Sequence, residues 1–160
     1  MPDDLAAALD PEVILATFRA NGLLLTAGDV LAADEGLTSA RWQVLGSIWL
    51  AGRPLTVPQI ARRMGLTRQS VHATVARLVA DGLVGLARNA DHRRSQRVGL
   101  TDLGRAGYQA LDRRQAAWAN RLADGLGLSA LETTVHVLTE LARRLDTTRG
   151  QTEGGDPHEA

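Results

Sequence analysis

The sequence has no cysteine, no lysine, few aromatic residues and no net charge, and each shortage narrows what the chain can be. Without cysteine, disulfide staples, thiolate zinc sites and thiol-based redox sensing are unavailable. With 3% aromatics, Leu, Val and Ala must fill any core, and 160 residues at 44% hydrophobic content suffice for one or two modest ones. No uninterrupted apolar run reads as a bilayer span. The amino end, MPDDLAAALDPE, is acidic and unlike a basic-then-apolar leader. The expectation is a cytoplasmic chain with no membrane partner. All 18 basic residues are Arg, which a GC-rich source explains as readily as a functional demand.

Catalytic signatures are also wanting. There is no Ser/His/Asp or Cys/His constellation, no Gly-rich phosphate loop after a strand and no cluster of metal ligands. Asp91-His92 is the one tempting pair, and its arginine-rich hairpin makes it a turn feature rather than a dyad. The chain reads as a non-enzyme that needs no cofactor and no metal.

What is present concentrates between Thr56 and Thr101. Thr56 and Gln59 are spaced as a capping box ahead of Ile60, Ala61 and Met64. Gly65 ends that helix, Leu66 is placed to plug the corner, and Thr67 is a good N-cap for the next. In the second helix Val71, Val75 and Leu78 recur at i, i+4 and i+7. Arg68, Gln69, His72, Ala73, Ala76 and Arg77 are left facing away, a face suited to a major groove. Asp81-Gly82 closes the helix. Leu83, Val84 and Leu86, next to Val98 and Leu100, then read as two short strands around a polar, basic loop, Asn89 to Arg94.

Charge placement sharpens this pattern. From Gln59 to Arg97 there are eight Arg against two Asp, a local balance of +6 in a chain of formal net charge zero, so the remainder carries −6. A positive field on an acidic body is what phosphate binding requires, and the overall pI near 6.9 hides it. Double-stranded DNA is the expected partner. A dimeric winged-helix adaptor that contacts protein instead is the alternative, against which the +6 segment argues.

The flanks read as helical. Asp10 and Pro11 suit an N-cap and first position, with Ile14, Phe18 and Leu25 as an apolar stripe running to the acidic end near Asp34. A second helix begins at Thr38 or Ser39, carries Trp42, Leu45, Gly46 and Trp49 at helical spacing, and ends at Gly52. Thr101 caps a long helix bearing Tyr108, Leu111, Trp118 and Leu122. Ser129 with Glu132 forms another capping box, leading into a heptad seam of Leu131, Val135, Leu138, Ala142 and Leu145. Such a seam needs a partner, and a second copy of the chain is the simplest. His136 on this helix reads as interfacial or solvated. Beyond Asp146 the tail lacks apolar periodicity and is expected to be disordered.

This order of elements resembles the MarR family of bacterial transcription regulators over nearly the whole chain. The likeness is specific in GLTSARWQVL (Gly36 to Leu45), LTRQSVHATVARLVADGLV (Leu66 to Val84) and HRRSQRVGLTDLG (His92 to Gly104). It implies a mainly α fold with a small β-hairpin wing: a winged helix-turn-helix domain with a helical dimerisation region. The expected divisions are an N-terminal dimerisation helix over 1–35, the DNA-binding domain over 36–101, C-terminal dimerisation helices over 102–146 and a disordered tail over 147–160. The implied function is a homodimeric repressor on a palindromic operator, released by a small lipophilic or aromatic effector.

The resemblance places the wing arginine on Arg94, with Arg93 beside it. The position of the usual acidic brace falls on His92, with Asp91 one step off, so the wing departs from the family pattern. A frequent major-groove Arg falls on Ala73. Gln69, Ser70 and His72 are then the candidate base readers, and Arg68 and Arg77 suit phosphate or base edges. Trp42, Trp49 and Tyr108 are candidates for an effector pocket, although aromatics at helical spacing fit a core equally well.

Overall fold

The computed structural model describes residues 9–89 and 95–152. Six α-helices and one antiparallel sheet are present among them: α1 Ile14–Ala32, α2 Ser39–Ala51, β1 Leu55–Thr56, α3 Val57–Met64, α4 Arg68–Ala80, β2 Val84–Arg88, β3 Gln96–Leu100, α5 Asp102–Leu122 and α6 Leu128–Thr152. The chain divides into two compact units, Met1–Ala117 and Trp118–Ala160. The boundary falls within α5.

In the first unit α2 is the central element. Val44, Leu45, Gly46, Ser47 and Ile48 are all buried, a continuous run rather than a stripe, because α1, α3, α4 and β3 touch the helix on different sides. Thr38 caps it by accepting from the Arg41 amide at 3.3 Å. The core adds Leu55, Ile60, Ala61, Val71, Val75, Leu78, Val84, Val98, Tyr108 and Leu111, so aliphatic side chains do most of the filling.

The wing strands pair as expected, with Val84 opposite Leu100 and Leu86 opposite Val98. β1 was not legible beforehand. It places Leu55 opposite Val98 and makes the sheet three-stranded in the order β1-β3-β2. Two residues after a proline are too few to show strand alternation, and pairing with β3 alone makes them a strand.

The sheet and α5 are locked together at Thr101. Its hydroxyl donates to the Gly82 carbonyl at 2.7 Å and accepts from the Gly104 amide at 3.0 Å, while its own amide donates to the Leu83 carbonyl at 3.2 Å. The approach is so close that a Cβ at Gly104 would lie 1.9 Å from the Leu83 carbonyl oxygen. Only glycine fits there.

Several expectations need correction. A π-helical turn, Leu9–Val13, opens the first helix, so the chain is already wound where Asp10 was expected to act as an outside cap. On α1 the expected stripe is outside: Phe18 is 68% exposed, and Gly28 and Ala32 are the buried positions. Ile14–Glu35, 22 residues whose most apolar window reaches a mean hydropathy of 1.2, is also long and apolar enough to cross a membrane by length and composition alone. Its leucines offset Arg19 and Asp29 in the average, which a search for unbroken runs overlooks. Here the Asp29 carboxylate accepts from the Ser39 amide at 2.6 Å, and a Cβ on Gly28 would sit 2.8 Å from Ser39 Oγ, so this helix is seated on α2. Leu66 does not plug the helix-turn-helix corner. It is exposed, whereas Ile60, Ala61 and Val71 on the two helices are buried.

The second unit contains the end of α5 and all of α6. The last helix starts at Leu128, with the Leu131 amide donating to the Gly127 carbonyl at 3.1 Å, so it begins ahead of the expected Ser129 cap. It continues to Thr152, six residues past Asp146; residues 153–160 lie outside the described residues. Glu140 accepts from Arg143 and Arg144 at 2.7 Å, the favourable acid-before-base spacing on a helix, and these bonds lower its carboxyl pKa to about 2. His136 is exposed.

Gly104→Ala is expected to lower the stability of the fold by about 2–3 kcal/mol, because backbone must move to admit the methyl group. Urea unfolding measures this, and an unchanged midpoint would contradict the proposed close packing.

Candidate nucleic-acid interface

The geometry of the interface follows from how α4 is seated. Thr67 Oγ1 accepts from the Ser70 amide at 3.1 Å, which caps the helix, and Gly65 turns the chain into it at φ 63°. At the preceding helix the Thr56 amide donates to Gln59 Oε1 at 2.9 Å. Val71, Val75 and Leu78 are buried, and α4 touches α2, α3 and β2. The opposite face is open: Arg68, Gln69, Ser70, His72, Ala73, Ala76 and Arg77 are all exposed, as the spacing predicts.

The cations on α4 and on two elements it touches, α3 and β2, are available. None of Arg62, Arg63, Arg68, Arg77 or Arg88 forms an ion pair among the described residues. Asp81, the acidic residue nearest the end of α4, is paired with Arg41 from α2. Unpaired guanidinium groups beside a protruding helix suit a polyanion.

At the wing, Arg93 and Arg94, with Asp91 and His92, lie outside the described residues. The base of that loop is less polar in its setting than expected. Asn89 is buried, donating to Ser95 Oγ at 2.7 Å and accepting from Arg97 Nε at 3.0 Å. A buried amide with both ends engaged braces the two strands at the base of the wing. Sequence reading placed Asn89 in the solvated loop because asparagine in a turn usually is solvated. A groove of about 580 Å³ runs between α4, the start of α3 and the strands, with His72, Ala76, Pro58, Leu86 and Gln96 on its walls. His72 therefore lies at the junction of helix and wing.

The three candidate pocket aromatics do not share one cavity. Trp42 and Tyr108 line a space of about 420 Å³ together with Gln43, Ser47, Arg63, Met64 and Gln115. Trp49 faces another, of about 340 Å³, with Arg53, Leu100 and Arg105. The Trp49 and Tyr108 rings pack with centroids 5.4 Å apart. Tyr108 is 5% exposed, and a Cβ on Gly46 would press on its ring at 3.2 Å. Arg63 was missed as a lining residue. Its place in a basic run advertised only surface charge.

Comparison with known proteins agrees with this geometry. A profile described as the MarR family matches residues 35–95. An uncharacterized protein of Mycobacterium tuberculosis is 43% identical over 134 residues, 84% of this chain and 89% of that protein. Among solved structures, M. tuberculosis MosR in complex with DNA superposes with a TM-score of 0.71 at 24% identity, covering 85% of this chain and 97% of the other. CouR of Rhodococcus jostii bound to p-coumaroyl-CoA gives 0.75 at 22%, covering 84% and 94%.

Burial, and secondarily the Asp112 carboxylate, raise the Tyr108 phenol above its ordinary 10.0. The neutral form is favoured in the fold, so this contribution to stability is complete below the unfolded value and is lost as pH rises through the folded one. Tyr108 is the one tyrosine. Ultraviolet titration of the folded protein should show ionisation starting at higher pH than in urea, and coincident curves would contradict the burial.

Proposed function

The chain belongs to the MarR family of transcription regulators, and from that premise we propose that it acts as a homodimeric repressor on a palindromic DNA operator and is released by a small aromatic or lipophilic effector. The observation that carries the reading is the free face of α4: three apolar side chains hold the helix down, and Arg68, Gln69, Ser70, His72 and Arg77 point outward beside unpaired arginines. In this reading Gln69, Ser70 and His72 read base edges, Arg68 and Arg77 hold phosphates or base edges, and Arg93 and Arg94 extend the grip from the wing.

Exposed apolar side chains support the dimer. Leu15, Phe18, Leu23 and Val30 on α1 and Val135, Leu138 and Leu145 on α6 are all open to solvent in the single chain, and surface of this kind is what a second copy would cover. Two copies present two recognition helices, which suits half-sites about 10 bp apart, one helical turn. Light scattering at tens of micromolar is expected to give about twice the 17.1 kDa chain mass. A persistent monomer would remove the basis for paired half-sites.

Effector release draws on the cavity lined by Trp42 and Tyr108. Its volume lies within the range of small-molecule sites, and Arg63 brings it a side chain from the helix-turn-helix itself. A ligand there would act on α3 directly. Coupling of this sort is typically about 1–3 kcal/mol.

The test is a salt-titrated binding series on an enriched duplex and a random one, repeated with aromatic compounds. Gln69→Ala and His72→Ala are each expected to cost about 1–3 kcal/mol on the enriched duplex and little on the random one. Arg94→Ala should weaken both alike and reduce the salt slope by roughly one per subunit. Should all three variants bind like the parent, the assignment of helix and wing to DNA would be wrong.

A further inference from the structure

Arg41 and Asp81 are each badly placed for their own helices. Arg41 lies in the first turn of α2, where the positive end of the helix dipole disfavours a cation, and Asp81 is the C-cap of α4, where the negative end disfavours a carboxylate. They are forty residues apart in sequence and ion-paired in space. The other arm of the same guanidinium, Nη1, donates to the Gly36 carbonyl at 3.1 Å. The Arg41 side chain is only 17% exposed, and its buried Nε has no partner among the described residues. A largely buried guanidinium that leaves its Nε without a partner is being kept for its two terminal bonds.

We propose that Arg41 is a positioning residue for DNA reading: by bridging the Gly36 carbonyl and the Asp81 carboxylate, it ties the C-terminal end of the recognition helix to the corner between α1 and α2. The proposal rests on the reading of α4 as the DNA-reading helix. Lever geometry explains why the tie matters. The thirteen residues of α4 span about 20 Å, so a slip of roughly 1 Å at the Asp81 end tilts the axis by about 3°, shifting Arg77 by about two-thirds of that distance and the readers nearer Thr67 by roughly a few tenths of an ångström. The other end is held by the Thr67 cap and the Gly65 turn; at the C-terminal end Thr101 fixes the turn through Gly82 and Leu83, and Asp81 is the sole ion-paired residue there among those described. The Gly36 corner is itself secured, since Asp29 of α1 accepts from the Ser39 amide. Among the described residues Arg41 forms no hydrogen bond or ion pair with an outward residue of α4, and the proposal gives it no DNA contact of its own.

The experiment measures a ratio of affinities, for a duplex that the wild-type protein enriches from a random pool and for an unrelated duplex of equal length. Any change of net charge shifts both affinities and cancels in the ratio. Arg41→Ala and Asp81→Ala should each lower the ratio about tenfold, roughly the loss of one aligned base contact. The double variant should fall no further than either single one, because each breaks the same tie. Thermal melting verifies that each variant is folded at the assay temperature. If Arg41→Ala does not fold, Arg41→Lys serves, since an ammonium keeps the charge but lacks the fork that reaches both acceptors, and its ratio should also fall. A ratio unchanged in the folded variants, or losses that add in the double, would overturn the proposal. A wild-type ratio of one would overturn the DNA-reading function itself, and this inference with it.

Discussion

The burial of Val71, Val75 and Leu78 is the constraint on which the rest depends. Full burial of such a side chain stabilises by about 1.5–3 kcal/mol, so three on one stripe leave α4 a single favourable rotation about its axis. Once that rotation is set, the identities of the outward residues are set too. The same three side chains need a surface to meet, and the buried run of α2 supplies it. The fold is therefore organised so that the helix with most of its circumference in the core supports the helix with most of its circumference outside.

Two kinds of bond finish what apolar packing begins. Thr101 stitches the end of the wing to the turn after α4 and to the start of α5, with Gly104 admitting the backbone of Leu83. Asn89 does a similar task at the far end of the strands, with both ends of its amide engaged. The wing thus departs from its base as a braced ribbon. Polar groups buried for such purposes are costly unless satisfied, and these are satisfied.

The second unit has the opposite character. Its helix α6 has no fully buried residue among those described, and its internal ion pairs, Glu140 with Arg143 and Arg144, lie on the surface. Surface pairs of that sort stabilise a helix by only tenths of a kcal/mol. Apolar side chains spaced along such a helix are instead a reason for association, which is how composition, seam and proposed dimer connect.

Local rules sufficed wherever a short stretch carries its own signal. The Thr67 cap, the Gly65 turn, the i, i+4, i+7 stripe of α4 and the two strands of the wing were all legible, because each depends on neighbours in sequence or on a short hairpin. The local +6 was legible for the same reason, since charge is additive along a chain. Tertiary structure decided whatever depends on a distant partner. β1 exists because β3 lies beside it, and Asn89 is buried because Ser95 and Arg97 return to meet it. The three aromatics parted because α2 turns Trp42 toward the space that Tyr108 also lines and Trp49 toward another. Arg41 is the clearest case: its sequence position says only that a cation stands where a helix does not favour one, and the reason, Asp81, is forty residues away.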